Sequence, residues 1–399
     1  GVTTLNFFQF KGEALEDFTK IIEDFEAENP DIRVVQNQVA DADTVIRTLL
    51  VKDKAPDVIT LNANGGFGKL AQAGVFYDFS DEPVLQTISP AVQEILADLG
   101  NKEGEVNGLG YVNNANGVIY NQDIFEEQGL EVPETWDEFI AVCDALKEAG
   151  ITPFYGTLAD SWTGLPSFNA LGAYPSQGDF WDKMRAEGED VGPDSEVSFQ
   201  KDFPEALDQQ YELFSNYMQD GYRGMTYDDG NAAFANGEVA MLLQGIWATN
   251  PIKQVNPDIR AGIFPYPGTD DPDDRLLVSG VDVVVTMGKD TPHKEEAMRF
   301  IDYMFETGVI EEFAASQNMV PSVEGAQLSD DPALQSVKPY FDEGKITGFI
   351  DHQIPPSIPL AAIIQQFLFS GDADAALATL DSEWAKVAAR TIPVTGDGS

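Results

Sequence analysis

The amino-terminal stretch TTLNFFQFKGEALEDFTKIIEDFEAENPDIRVVQ, residues 3–36, decides the fold class of this chain. The apolar residues Leu5 and Phe7 alternate with polar neighbours, which is the two-residue period of a half-buried strand. Apolar residues then recur at helical spacing from Leu15 to Phe25, until an Asn-Pro pair interrupts the pattern. A second strand-like apolar run closes the stretch. The order strand, helix, strand is therefore predicted.

The same alternation continues downstream and later restarts. DTVIRTLLVKD (43–53) has the pattern of a second helix, and PDVITLN (56–62) has that of a third strand. A βαβαβ order predicts a parallel sheet with right-handed crossovers. Farther along, Thr135 and Glu138 have capping-box spacing at the start of another helix, and ITPFYG (151–156) follows as a strand. We therefore expect two α/β lobes, with surface insertions at 175–200 and 269–275.

The charge balance narrows the possible partners. The chain has 399 residues, of which 68 are acidic and 23 basic, giving a formal charge of -45. Such a surface repels phosphate backbones and anionic headgroups, so nucleic acid is excluded as a partner. An acidic surface fits a protein outside the cell or one adapted to high salt, and composition leaves both open. The sequence contains no uninterrupted stretch of 18 or more apolar residues, so it predicts no membrane-spanning helix.

Metal and thiol chemistry are not expected. One cysteine excludes an internal disulfide, and with two histidines it does not supply a usual zinc site unless carboxylates complete the ligand set. Cys143 falls on the apolar face of the helix that follows Thr135, which predicts a buried thiol. The acidic TDDPDDR (269–275) lacks the spacing and the central glycine of an EF-hand loop. We predict neither a metal nor a cofactor.

Candidate ligand-binding residues follow the predicted strands, because loops at the carboxyl ends of strands converge on the ligand in open α/β sheets. They are amides, a carboxylate and aromatic rings: Gln9, Phe10, Asn62, Asn64, Asn113, Asn114, Trp162, Trp247 and Asp282. Amides and carboxylates pair with vicinal hydroxyls, and an indole offers a flat apolar face to a pyranose ring. The set favours a sugar. Each member alone also fits a structural role, because asparagine is a common turn residue and a strand-end tryptophan is often core.

Catalytic signatures are absent from the sequence. There is no G-x-S-x-G or H-E-x-x-H motif, and GGFGKL (65–70) lacks the spacing and hydroxyl residue of a phosphate loop. A glycoside hydrolase stays open as an alternative, because a pair of carboxylates suffices for that chemistry. A binder of cationic or peptide ligands would suit the acidic charge. The neutral and aromatic character of the candidates favours a non-catalytic sugar carrier over both.

Motifs along nearly the whole chain resemble the family 1 extracellular solute-binding proteins that serve ATP-driven sugar importers. They are, in order, YNQDIFEEQGLEVPETWDEFIAVCDALKEAGITPF (120–154), AFANGEVAMLLQGIW (233–247), FPYPG (264–268) and HKEEAMRFIDYMF (293–305). The resemblance implies an α/β, two-lobed periplasmic-binding-protein-like (Venus flytrap) fold with several hinge crossings. It implies that the sugar lies in the cleft and that the lobes close over it.

The resemblance also implies domain boundaries and a cellular location. By analogy the N-terminal lobe comprises 1–112 and 285–319, and the C-terminal lobe comprises 113–284 and 320–399. The family further implies a monomer at the extracellular face of the cell membrane, lipid-anchored through a cysteine that precedes Gly1, with membrane permease subunits as partners. The expected ligand is an oligosaccharide, and no enzyme activity is implied.

Several site residues come from the resemblance or from the carboxyl-terminal motif ITGFIDHQIPPS (346–357). By analogy Trp247 stacks on sugar, and a loop from Gly280 to Asp282 lines the cleft. In the motif, Phe349, Asp351 and His352 form either an exposed loop or a ring platform with a carboxylate and an imidazole for a terminal hexose. That combination resembles binders of raffinose-like and α-1,6-linked oligosaccharides. Monosaccharide, maltose-like and β-linked ligands stay open.

Overall fold

The computed structural model describes residues 1–390 of the chain. In this range the strands are β1 (Thr3–Gln9), β2 (Ile32–Gln38), β3 (Val58–Leu61), β4 (Leu109–Asn113), β5 (Asn116–Asn121), β6 (Thr152–Phe154), β7 (Val239–Gly245), β8 (Ala261–Phe264), β9 (Leu277–Val278), β10 (Val281–Met287), β11 (Val320–Pro321) and β12 (Ile346–Thr347). The helices are α1 (Leu15–Glu28), α2 (Ala42–Val51), α3 (Gly65–Gln72), α4 (Pro90–Ala97), α5 (Gln122–Glu127), α6 (Trp136–Glu148), α7 (Leu165–Gly172), α8 (Phe180–Glu187), α9 (Phe199–Asp202), α10 (Pro204–Tyr217), α11 (Tyr227–Ala235), α12 (Thr249–Val255), α13 (Lys294–Met304), α14 (Thr307–Gln317), α15 (Pro332–Asp342), α16 (Leu360–Ser370) and α17 (Ala373–Arg390).

The chain divides into two compact units. Unit 1 comprises Gly1–Asn114 and Ser279–Ile346, and unit 2 comprises Ala115–Val278 together with residues 347–390. The chain therefore passes between the units three times. The sequence-based division placed residues 113–114, 279–284 and 320–346 in the second lobe. They belong to unit 1, because β4 ends at Asn113 and both β10 and β11 pair with it.

Unit 1 is built on a six-stranded sheet in the order β11-β4-β10-β3-β1-β2. Strand β1 pairs in parallel with both β2 and β3, as the βαβαβ pattern predicts. Strand β10 is antiparallel to β3 and to β4. The carboxyl ends of β1, β3 and β4 and the start of β10 consequently lie at one edge of the sheet. That edge is where ligands bind in open α/β sheets.

Helix α1 packs against this sheet through the apolar face that the sequence predicts. Phe18, Ile22 and Phe25 are buried, whereas Leu15, the first residue of the helix, is exposed. The Phe18 ring lies 5.3 Å from that of Phe7 on β1, in an edge-to-face arrangement. Aromatic pairs in this geometry stabilise a core beyond the area they bury.

Unit 2 has its own sheet, in the order β12-β9-β5-β7-β6, with β8 also paired to β5. The predicted helix cap is present, since the Thr135 side chain accepts a hydrogen bond from Glu138 N at 3.1 Å. Cys143 lies on the buried face of α6, and burial raises the pKa of its thiol. The prediction of a buried structural cysteine is confirmed.

The predicted surface insertion at 175–200 is wrong. This segment contains α8, whose Trp181 and Met184 are buried in the core of unit 2. The Trp181 ring lies 6.0 Å from that of Trp384 on α17, and the Trp384 indole N–H donates to Met184 O at 3.1 Å. Glycine and proline around the segment obscure a short helix whose apolar residues contact distant parts of the chain.

Candidate ligand-binding site

The predicted residues of unit 1 gather at the carboxyl edge of its sheet. Strand β1 ends at Gln9, β3 ends at Leu61, β4 ends at Asn113 and β10 begins at Val281. The register pairs Val281 with Asn113, and Val284 with Leu61, so these ends are aligned. The residues at or next to this edge are Gln9, Phe10, Asn62, Asn64, Asn113, Gly280 and Asp282.

Two of these amides are engaged in local structure. Gln9 is fully buried, and its Nε2 donates to Lys11 O at 2.8 Å and to Gln36 Oε1 at 3.1 Å. Its Oε1 accepts from the Lys11 backbone N–H. Asn64 is the N-cap of α3, because its Oδ1 accepts from Phe67 N at 2.9 Å. Both side chains therefore shape the loops after their strands.

Asn113 differs, because its side-chain oxygen accepts no hydrogen bond from the described residues. Its Nδ2 donates to Ser279 Oγ at 3.1 Å, while its buried Oδ1 has no hydrogen-bond partner in the described part of the chain. The neighbouring Asn114 accepts from Gly280 N at 2.9 Å and so fixes the backbone beside it. A buried carbonyl oxygen without a partner is costly, and a ligand hydroxyl would satisfy it.

The carboxylate of Asp282 has a partner that the sequence prediction omitted. Lys11 forms an ion pair with Asp282 Oδ2, and the two side chains are only 12% and 22% exposed. Lys11 follows β1 by two residues, so the strand-end rule covered its position. Its charge is complementary to that of Asp282, which sequence spacing does not indicate for two residues 271 positions apart. Asn62 is exposed, and Phe10 is half-buried.

In unit 2, three rings form a row beside a strand end. Trp247 follows β7 in a 3-10 turn and is half-buried, and its ring centroid lies 6.4 Å from that of Phe349. The Phe349 centroid lies in turn 5.5 Å from the His352 ring. The Trp247 Nε1–H donates to Gln244 Oε1 at 3.0 Å, which fixes the indole. We call Trp247, Phe349 and His352 the ring row.

Asp351 lies beside the ring row with its carboxylate anchored on one side only. Asn169 on α7 donates from Nδ2 to Asp351 Oδ2 at 3.1 Å and accepts at Oδ1 from Asp351 N at 2.9 Å. The other oxygen, Oδ1, is buried and makes no hydrogen bond within the described residues. His352 Nε2 lies 3.7 Å from it. Residues 350–353 form an ordered, partly buried 3-10 turn and not an exposed loop.

Trp162 is not part of the ring row. It lies in a 3-10 turn, is 40% exposed, and has its ring centroid 4.9 Å from that of Tyr227. Of the five predicted residues of unit 2, the structure places Trp162 against Tyr227. It brings the other four together: Trp247, Phe349, Asp351 and His352. Burial raises the pKa of the Tyr227 hydroxyl.

Two absences hold for residues 1–390. In that part of the chain, no group of three or more His, Cys, Asp and Glu side chains is placed to hold a metal ion. Over the same residues, the helices are too short or too polar to cross a membrane. In the acidic 269–275 loop, Asp271 accepts from Asp273 N and Asp274 accepts from the Thr269 hydroxyl.

Two α/β units, with polar side chains at a strand edge in one and a row of rings beside a carboxylate in the other, fit a solute-binding protein. A family model described as bacterial extracellular solute-binding protein matches residues 12–310, which is more than half of the chain. The chain belongs to this family.

Three relatives illustrate the match. The multiple sugar-binding protein of Streptococcus mutans is 29% identical over 83% of this chain and 78% of its own length. The melibiose/raffinose/stachyose-binding protein MelE of Bacillus subtilis is 24% identical over 82% of this chain and 77% of its own length. The apo form of RafE from Streptococcus pneumoniae is 26% identical, with a TM-score of 0.86 over 97% of this chain and 98% of its own. RafE in complex with raffinose matches with a TM-score of 0.76 over 97% and 100%.

These findings confirm the family that the motifs indicate and the two-lobed α/β fold class. They also confirm that the chain is a binding protein and not an enzyme, which removes the hydrolase alternative.

Proposed function

We propose that this chain captures a short oligosaccharide outside the cell and delivers it to the membrane permease of an ATP-driven importer. The observation that carries the proposal is the ring row of Trp247, Phe349 and His352 beside the partly satisfied carboxylate of Asp351. A pyranose ring stacks its C–H face on such rings, and a carboxylate oxygen accepts from sugar hydroxyls.

The proposed sugar is a neutral α-linked oligosaccharide of the raffinose or isomalto type. Both carboxylates among the candidate residues have internal partners, Lys11 for Asp282 and Asn169 for Asp351. The Lys11 ammonium neutralises the charge of Asp282, so that carboxylate suits hydroxyl groups better than cationic or peptide ligands. The names of MelE and RafE, which bind raffinose or related sugars, support this sugar class.

A titration of ligands tests the proposal. Thermal shifts should be positive with raffinose, stachyose, melibiose and isomaltotriose, and absent with nucleotides, amino acids and spermidine. A ligand that binds only the native state stabilises it by about 2.7 kcal/mol at a hundredfold excess over Kd, so a genuine ligand is visible. Isothermal titration then ranks the sugars. A flat response to every sugar, or a stronger response to spermidine, would overturn the proposal.

The mode of capture is part of the proposal. We expect the two units to close over the sugar as rigid bodies, the hinge motion that such binding proteins use. Small-angle scattering should then give a smaller radius of gyration at saturating sugar. An unchanged radius would contradict closure while leaving sugar binding in place.

The cellular setting completes the proposal. The chain acts as a monomer, held at the outer face of the cell membrane through a lipid-modified cysteine that precedes Gly1. Its partners there are the permease subunits of the importer. Labelling of the full-length protein with a radioactive fatty acid in cells tests the anchor, and sedimentation at increasing concentration tests the monomer.

A further inference from the structure

We propose that Asn169 is a positioning residue for ligand binding, acting through Asp351. The inference rests on the proposed function, because it assigns a role in holding the sugar. Asn169 lies on α7 and is 1% exposed, whereas the Asp351 side chain is 24% exposed, so a ligand on the ring row reaches Asp351 and not Asn169. What it supplies is the orientation of a carboxylate that the ligand contacts.

The geometry is a reciprocal pair of hydrogen bonds. The Asn169 amide donates to Asp351 Oδ2 at 3.1 Å and accepts from Asp351 N at 2.9 Å, so both its atoms are committed to one residue. Two bonds to the side chain and the backbone of the same residue fix the side-chain torsions of Asp351. A side chain held in this way presents its remaining oxygen in one direction, which lowers the ordering cost of binding.

The remaining oxygen is the reason to infer a ligand. Asp351 Oδ1 is buried and, among residues 1–390, lacks a hydrogen-bond partner. An ionised oxygen without a donor is costly in the interior, and buried polar groups in native proteins are nearly always satisfied. A sugar hydroxyl that donates to Oδ1 while the ring stacks on Phe349 or Trp247 removes this cost.

Nearby charges define what else acts on this carboxylate. His352 Nε2 lies 3.7 Å from Asp351 Oδ1, and Arg185 on α8 donates to Gln353 Oε1 at 2.9 Å on the same turn. Helix α7, which carries Asn169, contains no titratable residue. Besides Asp351 itself, the ionisable side chains of the described residues on this turn or bonded to it are therefore His352 and Arg185.

A double-mutant cycle on sugar affinity tests the inference. With raffinose as the probe, Asn169→Leu should weaken binding about tenfold, because Asp351 is no longer held in place and its hydrogen bond to the sugar is lost. Asp351→Asn should weaken it at least as much. Because Asn169 acts through Asp351, adding Asn169→Leu to Asp351→Asn should cost little further affinity. If the fold-loss of affinity in the double variant equals the product of the two single losses, the inference is wrong.

A second variant gives a readout that a purely structural residue would not move. In Asn169→Asp the new carboxyl group faces Asp351, and like charges raise the pKa of one member of such a pair. Near pH about 5 the two carboxyl groups share one proton, which takes the place of the amide hydrogen of Asn169. Near pH about 8 both are ionised, and their repulsion displaces the Asp351 carboxylate. Raffinose affinity relative to wild type should fall about tenfold between these values. A ratio independent of pH would contradict the positioning role. If Asn169→Leu does not fold, this comparison decides alone.

Gln210 provides the matched control. It is fully buried, and its Nε2 donates to Ser167 Oγ on α7 at 2.8 Å and to Gly164 O at 2.9 Å, without touching Asp351. Gln210→Leu should lower the urea midpoint and leave raffinose affinity unchanged. Equal affinity losses in Gln210→Leu and Asn169→Leu would reduce Asn169 to a structural residue. Absence of binding to wild type for every sugar would instead refute the proposed function.

Discussion

Lys11 and Asp282, which are 271 residues apart in sequence, form an ion pair at the carboxyl edge of the unit 1 sheet. The pair joins the loop after β1 to the start of β10. Both side chains are mostly shielded, at 12% and 22% exposure, so water does not readily replace either partner. Removing one partner therefore leaves the other charge shielded from water and without a counter-ion.

Substitution of Lys11 should therefore destabilise unit 1. We expect Lys11→Met to lower the free energy of unfolding by about 1 to 3 kcal/mol, because the Asp282 carboxylate loses its charge-assisted bond. Adding Asp282→Leu should recover part of this loss. Urea unfolding measures both. The control is Lys20→Met, since the Lys20–Glu312 pair is 56% and 64% exposed and should contribute little. An equal loss in both single variants would show that shielding is irrelevant.

Salt should stabilise the protein. The formal charge of -45 means that most acidic side chains have no basic counterpart, so repulsion exceeds the attraction of the surface pairs. Salt screens both the repulsion between acidic groups and the attraction within the ion pairs. Because the repulsion is larger, the net effect of salt is to stabilise the folded state. We expect the thermal midpoint to rise by about 5 °C between about 0.05 M and about 1 M NaCl. Most of the rise should fall at the low-salt end, where the screening length is comparable to the spacing of charges. A midpoint that falls with salt would show that the ion pairs dominate.

Alkaline pH should erode the contribution of Tyr77. Its hydroxyl donates to Glu82 Oε1 at 2.5 Å, and this bond together with burial raises its pKa to about 12. Folding therefore favours the neutral hydroxyl. Its contribution to the free energy of unfolding is complete below the unfolded pKa of about 10 and is lost as pH rises toward about 12. The stability difference between wild type and Tyr77→Phe should therefore shrink across that range. A difference independent of pH would show that the pKa is unshifted.

Local patterns in the sequence were sufficient to predict the βαβαβ unit, because its helix and strand periods are set by neighbours along the chain. The same patterns missed α8, whose Trp181 ring packs against Trp384 on α17, some 200 residues away. They also gave no sign that β11 joins the first sheet, since Val320 pairs there with Asn113. Pairing between distant segments leaves no local period.

The candidate site divides in the same way. The strand-end rule predicts positions, so it located Gln9, Asn113 and Asp282 at one edge. It does not predict which groups a side chain bonds, and the Gln9 amide is taken up by Lys11 and Gln36. Asn169 could not be found from sequence, because its significance depends on the turn that carries Asp351. Burial in α7 otherwise makes it look like an ordinary core position.

Trp247 provides the sharpest contrast between binding and stability. Its indole covers Gly245, where a Cβ atom would overlap the ring, and it is half-buried beside Phe349. If the ring is a sugar platform, Trp247→Ala should lose about 1 to 3 kcal/mol of raffinose binding with only a modest loss of stability. Trp384 is the control, since it is 4% exposed and bonded inside the core of unit 2. Trp384→Ala should lose about 3 to 5 kcal/mol of stability and leave the affinity of the folded fraction unchanged. Calorimetric titration and urea unfolding of both variants separate the two roles. Unchanged sugar affinity in a folded Trp247→Ala protein would show that the indole is a core residue that happens to end a strand.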